Sequence, residues 1–165
     1  MQALNQMLTP ETARQLLTGE MPLGALFGVS KGQLAGMASF GHQLWRQGRR
    51  LEAQKIFRGI IALDERSYYG HAGMGLVAMS QEDLATAEQY LNKAFELEPS
   101  DASVAVNLGE VLLRQGKLEP AISALESASK LDPSGVNPGS ARARAILIGI
   151  GRGAAELSKK PVPSR

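Results

Sequence analysis

Small and apolar residues recur through the middle of the chain at intervals of 34 residues. Large apolar side chains follow the small ones four residues later, a spacing typical of an amphipathic helix. Repetition at this interval indicates stacked pairs of helices, each of which buries its apolar face against its neighbours. The columns that keep one residue type in all three copies are Gly41, Gly75 and Gly109, then Ala53, Ala87 and Ala121, and then Leu63, Leu97 and Leu131.

The columns predict three helix pairs, with the glycines on the first helix and the alanines on the second helix of each pair. Glycine inside a helix costs about 1 kcal/mol relative to alanine, so its retention at equivalent positions indicates close packing of the paired helices. Pro99 and Pro133 close two of the repeats, because proline disfavours helix in the residue before it. The predicted helices are 34–47 with 51–64, 68–81 with 84–97, and 102–115 with 118–131.

Helices are also predicted on both sides of the repeats. Thr9 and Pro10 are typical of an N-cap and a first helical position, and that helix is expected to end at Gly19. Ser30 and Ser140 are the candidate N-caps of the first repeat and of a last helix. The expected organisation is a lead-in at 1–33, repeats at 34–67, 68–101 and 102–133, a capping helix at 134–158 and a disordered tail at 159–165.

The period, the small-residue columns and the closing prolines identify a tetratricopeptide-repeat (TPR) protein, an all-α superhelix of three repeats with flanking helices. In TPR arrays the second, fifth, ninth and twelfth positions of each repeat point into the concave groove. Here these positions are mostly apolar, and an exposed apolar strip indicates a surface that something covers. The candidate groove residues are Ala38, His42, Trp45, Tyr69, Ala72, Leu76, Met79, Val106, Glu110 and Leu113.

The strip predicts a groove for an extended peptide that carries apolar side chains. The alternative is that Trp45, Met79 and Leu113 belong to the core, or that the N-terminal segment covers them. Whether residues 21–27 cap the array or fill the groove is open from the sequence. A third possibility, a clamp for the acidic C-terminus of a chaperone, needs basic and amide side chains. The residues at the clamp positions are Ala38, His42, Gly73, Ser103 and Asn107, of which Asn107 alone is suitable.

The N-terminal part of the chain also resembles the translocator (class II) chaperones of bacterial type III secretion. Residues 19–30 read GEMPLGALFGVS, a glycine-rich apolar lead-in that ends in Val-Ser. Residues 47–49 read QGR, and residues 63–75 contain Leu-Asp, Tyr-Tyr and Gly-Met-Gly in the order typical of that family. The resemblance implies a cytoplasmic chaperone that holds an apolar translocator in its groove before export. It also implies that the N-terminal segment mediates a homodimer.

A general TPR scaffold in a multi-protein complex is the alternative function. The groove of such an adaptor would bind another member of the assembly rather than a secreted client. The translocator family carries several tyrosines in its groove, whereas Leu44 and Trp45 stand at such positions here.

Composition excludes several classes of protein. Of the 165 residues 44% are hydrophobic, and the net charge of +2 is too small to indicate a nucleic-acid partner. The chain has no cysteine, which rules out a disulfide framework and thiolate metal sites. His42 and His71 are its two histidines, and no His, Asp and Glu spacing suggests a metal site. We therefore expect no metal, no cofactor and no enzymatic activity.

The apolar stretch Ala145–Ile150 is far shorter than the roughly 20 residues that a membrane-spanning helix needs. We therefore expect no membrane partner. We expect a cytoplasmic location. Arg142, Arg144 and Arg152 accompany this stretch in the last helix. We expect that helix to cap the last repeat. Contact with a second copy, with the client or with a membrane surface is the alternative.

Overall fold

The computed structural model describes residues 7–134 and 136–158, and these residues contain nine helices. The six repeat helices begin and end within three residues of their predicted bounds, which confirms an all-α fold of helix pairs. The predicted tail at 159–165 lies outside the described residues. The helices are α1 Pro10–Leu17, α2 Leu23–Leu26, α3 Lys31–Arg46, α4 Arg50–Leu63, α5 Tyr68–Ser80, α6 Leu84–Leu97, α7 Ala102–Arg114, α8 Leu118–Leu131 and α9 Pro138–Ser158.

The chain forms two compact units, Met1–Leu97 and Glu98–Arg165. The first unit contains helices α1 to α6 and therefore the first two repeats. The second unit contains the third repeat, α7 and α8, together with α9. The division falls inside the stretch 34–133, which the sequence predicts to be one array of repeats. The domain bounds predicted from the sequence therefore stay a prediction.

Glycine allows the two helices of each repeat to approach closely in the first unit. A Cβ atom at Gly41 on α3 would lie 2.8 Å from the ring of Phe57 on α4. A Cβ atom at Gly75 on α5 would lie 2.7 Å from Leu91 on α6. Phe57 and Leu91 are fully buried, so a side chain at either glycine would displace a core residue. The packing that the glycine columns predict is therefore present in both repeats.

The second unit repeats this arrangement and adds α9. A Cβ atom at Gly109 on α7 would lie 2.6 Å from Leu125 on α8. Helix α9 packs on α8 and on α7. Gly139 brings the start of α9 against α7, where a Cβ atom would lie 2.9 Å from the backbone carbon of Ala102.

Two of the three predicted N-caps, Thr9 and Ser30, are confirmed. The Thr9 hydroxyl accepts a hydrogen bond from the backbone of Thr12 at 3.1 Å, and Ser30 forms a capping box with Gln33. The prediction for Ser140 is wrong. That residue lies inside α9, where its buried hydroxyl donates to the carbonyl oxygen of Ala128 at 2.7 Å.

Asn137 provides the polar contacts at the start of α9. Its side-chain oxygen accepts from the backbone nitrogens of Gly139 at 2.8 Å and Ser140 at 3.4 Å. The helix starts three residues earlier than an N-cap at Ser140 would place it, because Pro138 fits the first helical position, where no backbone N–H is needed.

The N-terminal lead-in packs on the second helix of the first repeat. Helix α2 contacts α4, and a Cβ atom at Gly24 would lie 3.1 Å from the carbonyl oxygen of Leu63. Gly24 is buried, whereas Leu23 and Phe27 are exposed by 44% and 51%. Residues 21–27 therefore contact the helix that lies behind the predicted groove.

Candidate peptide-binding face

Helices α3 and α5 are neighbours in the first unit and carry seven of the ten predicted groove residues. We call this surface the first-helix face of unit one. Six of the seven are half-buried, so their side chains are partly open to solvent while their stems pack on the helices. These six are His42, Trp45, Tyr69, Ala72, Leu76 and Met79.

Ala38 does not belong to the open surface. Its side chain is 2% exposed and lies in the core cluster of the first unit with Leu34 and Leu44. The prediction that Ala38 contacts a bound peptide is therefore wrong. A methyl group is short enough to be covered entirely by its larger neighbours, so this position forms the floor of the face.

Trp45 and Tyr69 contribute to the core and to the surface at once. Both are half-buried and pack against the core cluster that contains Phe57. The indole nitrogen of Trp45 is buried, and the described residues offer it no hydrogen-bond partner. A buried donor without a partner costs roughly 1–3 kcal/mol, so Trp45 is held by packing rather than by its polar atom. Trp45 therefore belongs in part to the core, which is the alternative that the sequence leaves open for this residue.

The two histidines have different surroundings. His42 stands edge to face with Phe57, at a centroid distance of 5.1 Å and an interplanar angle of 61°. The Nε2 atom of His71 lies 2.7 Å from the carbonyl oxygen of Glu65, and the ring centroids of His71 and Tyr90 are 6.0 Å apart. His42 therefore belongs to the first-helix face, whereas His71 joins helices together.

The remaining residues make this face apolar. Ala72, Leu76 and Met79 follow one another along α5 and are all half-buried. None of the six half-buried residues is an acid, a lysine or an arginine. Such a surface binds by covering apolar area and by dispersion contacts rather than by charge.

The third repeat differs from the first two at the predicted positions. Val106 is 1% exposed, so the prediction that it lines an open groove is wrong. Glu110 is half-buried and forms an ion pair with Arg142 of α9, and Leu113 is half-buried. The C-terminal helix therefore engages the first helix of the third repeat.

Arg142 of α9 contacts the predicted groove residue Glu110 within the second unit. Its Nη1 atom lies 3.4 Å from the side-chain oxygen of Asn107, and its Nη2 atom donates to Glu110. Both partners lie on α7. The sequence places Arg142 in the helix predicted after the last repeat. It does not show which residues of α7 that helix contacts.

A cavity of about 950 Å³ lies elsewhere in the first unit. Its walls are residues 16–23, Lys31, residues 61–66 and Leu97. None of the ten predicted groove residues contributes to it. The cavity is lined by the lead-in on one side and by the end of α4 on the other, and it has charged as well as apolar walls.

Two family models, both described as tetratricopeptide repeat, match residues 39–94 and 78–147. Together with the helix pairs, these matches show that the chain is a tetratricopeptide-repeat protein. No curated protein matches the chain in sequence.

Solved structures with the same fold include type III secretion proteins. A T3SS complex from Aeromonas hydrophila is 23% identical at a TM-score of 0.74, covering 89% of this chain and 99% of that one. The translocator chaperone SycD of Yersinia enterocolitica is 21% identical at a TM-score of 0.67, covering 78% and 97%. These likenesses confirm the predicted resemblance to translocator chaperones at the level of the fold.

A third structure contains a bound partner. It is PcrH of Pseudomonas aeruginosa in complex with the chaperone binding region of PopB. PcrH in that complex is 26% identical at a TM-score of 0.61, covering 72% of this chain and 97% of that one.

Within residues 7–134 and 136–158, no helix is both long and apolar enough to cross a membrane.

Proposed function

We propose that the chain is a non-enzymatic chaperone of the cytoplasm that binds an extended apolar segment of a type III secretion translocator. The first-helix face of unit one is the binding surface. Its contact residues are His42, Trp45, Tyr69, Ala72, Leu76 and Met79. The chaperone acts passively, because covering the apolar side chains of a client prevents them from aggregating or assembling before export.

One observation carries this proposal: a row of half-buried apolar side chains stands open along α3 and α5. The lead-in, which was a candidate to fill this surface, packs on α4 instead. The likeness to PcrH with the chaperone binding region of PopB supports the choice of client class.

The face has enough apolar surface for useful affinity. Each well-buried apolar side chain of a client contributes about 1.5–3 kcal/mol. Ordering an extended peptide and losing its free motion offset several kcal/mol of this. Three or four anchors therefore give micromolar binding or better, provided that the client presents them on one side of an extended segment.

Co-purification followed by mass spectrometry tests the proposal. The tagged chain is expressed in its own cells, and the retained proteins are compared with those on a variant that carries Tyr69→Glu and Met79→Glu. Leu51→Glu is the matched control, because Leu51 is 69% exposed on α4 and lies outside the first-helix face. We expect the wild type and the control to retain an apolar secreted protein that the double variant loses.

The alternative is a general TPR scaffold, and the same experiment separates the two. A scaffold would retain a stable set of non-secreted proteins that form one assembly. Recovery of such a set, without any apolar secreted protein across growth conditions, would contradict the chaperone proposal.

A further inference from the structure

The cavity of about 950 Å³ in the first unit lies where helices α3 and α5 begin. Lys31, the first residue of α3, lines it, and so does Arg66, which stands two residues before the start of α5. Three residues of chain span at most about 11 Å, so the Cα atom of Arg66 is within that distance of the Cα atom of Tyr69. The cavity is therefore next to one end of the first-helix face of unit one.

Most of the residues that line the cavity are apolar. Leu23 is exposed at its wall, whereas Met21 and three further apolar residues are half-buried. An open apolar surface indicates that something covers it, and the volume is in the range of about 300–1,000 Å³ that ligand sites have. The three further residues are Ile61, Leu63 and Leu97.

Two of the acids in the wall already have partners. Glu20 forms an ion pair with Arg14 at 2.9 Å. The Oδ1 atom of Asp64 accepts a hydrogen bond from the backbone nitrogen of Arg66 at 3.0 Å. Neither carboxylate therefore neutralises the side chain of a basic residue in the wall of the cavity.

The basic residues of the wall have no such partners. Within residues 7–134 and 136–158, the side chains of Lys31 and Arg66 form no ion pair and no hydrogen bond, and Glu65 is the one acid of the wall that is also unpaired. All three residues are exposed. Two free cations therefore face one free carboxylate, so an acidic group that enters the cavity finds complementary charge.

We infer that the cavity binds an acidic and apolar segment of the client, adjacent to the segment on the first-helix face. Lys31 and Arg66 donate to the acid of that segment, since an ammonium and a guanidinium both supply several N–H groups. The apolar walls cover the side chains beside the acid. An extended client that continues past Tyr69 reaches this cavity. The inference rests on the proposed function, because it assigns a second contact to the same client.

The test uses the full chain and a phage-displayed library of random dodecapeptides as the probe. An extended dodecapeptide spans about 40 Å, and the 13 residues of α5 are about 20 Å long. A single peptide can therefore cover the face and enter the cavity. Peptides selected on the wild type are synthesised, and their affinities are measured by fluorescence anisotropy. We expect the selected peptides to carry an acid next to apolar residues.

Reversal of charge tests the two cations. We expect the variant with Lys31→Glu and Arg66→Glu to bind these peptides about tenfold more weakly. Lys55→Glu with Arg58→Glu is the matched control, because both residues are exposed on α4 outside the cavity and the net charge changes equally. The control should keep the wild-type affinity. Replacing the acid of the peptide by its amide should weaken binding to the wild type and not to the charge variant.

Filling the cavity tests the space independently of charge. Ala62 is exposed on α4 and lines the cavity, so the indole ring of Ala62→Trp would occupy part of its volume. We expect Ala62→Trp to bind the same peptides about tenfold more weakly, with the helical signal in circular dichroism kept. Leu51→Trp is the control, because Leu51 is exposed on α4 and does not line the cavity.

The outcomes distinguish this inference from the proposed function. Unchanged affinity in the charge variant or in Ala62→Trp, together with lost binding in the variant with Tyr69→Glu and Met79→Glu, would overturn the inference alone. A second copy of the chain is the competing occupant. In that case the charge variant would change the mass in light scattering while keeping its affinity for the peptides, which would also overturn the inference. Failure of the wild type to select any peptide would overturn the proposed function and the inference with it.

Discussion

The ring of Phe57 occupies the space beside Gly73, where a Cβ atom would lie 2.1 Å from Cδ1 of the ring. Gly73 is on the first helix of the second repeat, and Phe57 is on the second helix of the first repeat. Both residues are buried. This contact joins the two repeats of the first unit, and it leaves no room for a side chain at position 73.

We predict that Gly73→Ala destabilises the protein. Overpacking of a filled core costs about 1–3 kcal/mol, and the gain in helix propensity from glycine to alanine returns at most about 1 kcal/mol of this. Urea unfolding followed by circular dichroism measures the change. Gly36→Ala is the matched control, because Gly36 is exposed on α3 with no atom within 4 Å of a Cβ.

The control variant is expected to be as stable as the wild type or more stable by up to about 1 kcal/mol, since alanine favours helix. Equal stability of Gly73→Ala and Gly36→Ala would show that the first unit does not depend on the contact between Phe57 and Gly73.

The fold was largely predictable because the repeat constrains it. Gly41, Gly75 and Gly109 can be read directly as close helix contacts, since little else explains a glycine retained inside a helix. Ala38 and Val106 show the limit of this reading. A groove position gives the direction of a side chain, but whether neighbours cover that side chain depends on packing that the sequence does not encode locally.

The contacts of helix α9 do not follow from the repeat, for a different reason. Its start depends on Asn137 and Pro138 in a loop longer than those between the repeats, so α9 starts two residues later than a 34-residue step from Ala102 would place it. The ion pair between Arg142 and Glu110 joins residues 32 positions apart, and the repeat does not predict this spacing. The sequence predicts Ser140 as an N-cap because serine is common at that position, yet its hydroxyl donates to the carbonyl oxygen of Ala128 from inside the helix.

The turn of the second repeat offers a test of backbone strain. Gly48, Glu82 and Gly116 stand at equivalent positions, and all three have a positive φ, of 78°, 62° and 76°. A residue with a side chain pays roughly 1–2 kcal/mol in this left-handed region, whereas glycine does not.

We therefore predict that Glu82→Gly stabilises the protein by about 1 kcal/mol. Thermal unfolding by differential scanning calorimetry measures the effect. Glu82→Ala serves as the control, because it removes the same carboxylate and keeps the strained backbone. A melting temperature of Glu82→Gly no higher than that of Glu82→Ala would contradict the explanation.

Acid stability should depend on Asp83, which precedes α6. Hydrogen bonds from the side chain and the backbone of Thr86 lower the pKa of Asp83 below its ordinary value. The backbone bond joins the nitrogen of Thr86 to Oδ1 at 3.1 Å. Because the pKa is lower in the folded state, the stabilisation is present at neutral pH and is lost as the pH falls through the folded-state pKa.

Asp83→Asn removes this titration while keeping a capping side chain. We expect the wild type to have the higher melting temperature at neutral pH, and the gap to shrink below about pH 4, the ordinary range of an aspartate. Melting curves of both proteins across this pH range measure the gap. A gap that stays constant down to the lowest pH would rule out Asp83 as its source.

The exposed apolar surface of the lead-in predicts that the protein self-associates. Helix α1 has no buried residue, and Leu17 at its end is 89% exposed. A homodimer through the N-terminal segment would cover this surface, so we predict that the wild type is a dimer and that Leu17→Glu shifts it to the monomer. Size-exclusion chromatography with light scattering, at several protein concentrations, measures the mass. Leu51→Glu should remain dimeric, and a monomeric wild type would contradict the prediction.

Photo-crosslinking in cells tests the binding face most directly. A benzoylphenylalanine is placed at Leu76 on α5 in one variant and at Leu51 on α4 in another, and both cultures are irradiated. We predict that the probe at position 76 captures an apolar secreted protein and that the probe at position 51 does not. Capture from position 51 alone, or no capture of a secreted protein from position 76, would contradict a client bound along α3 and α5.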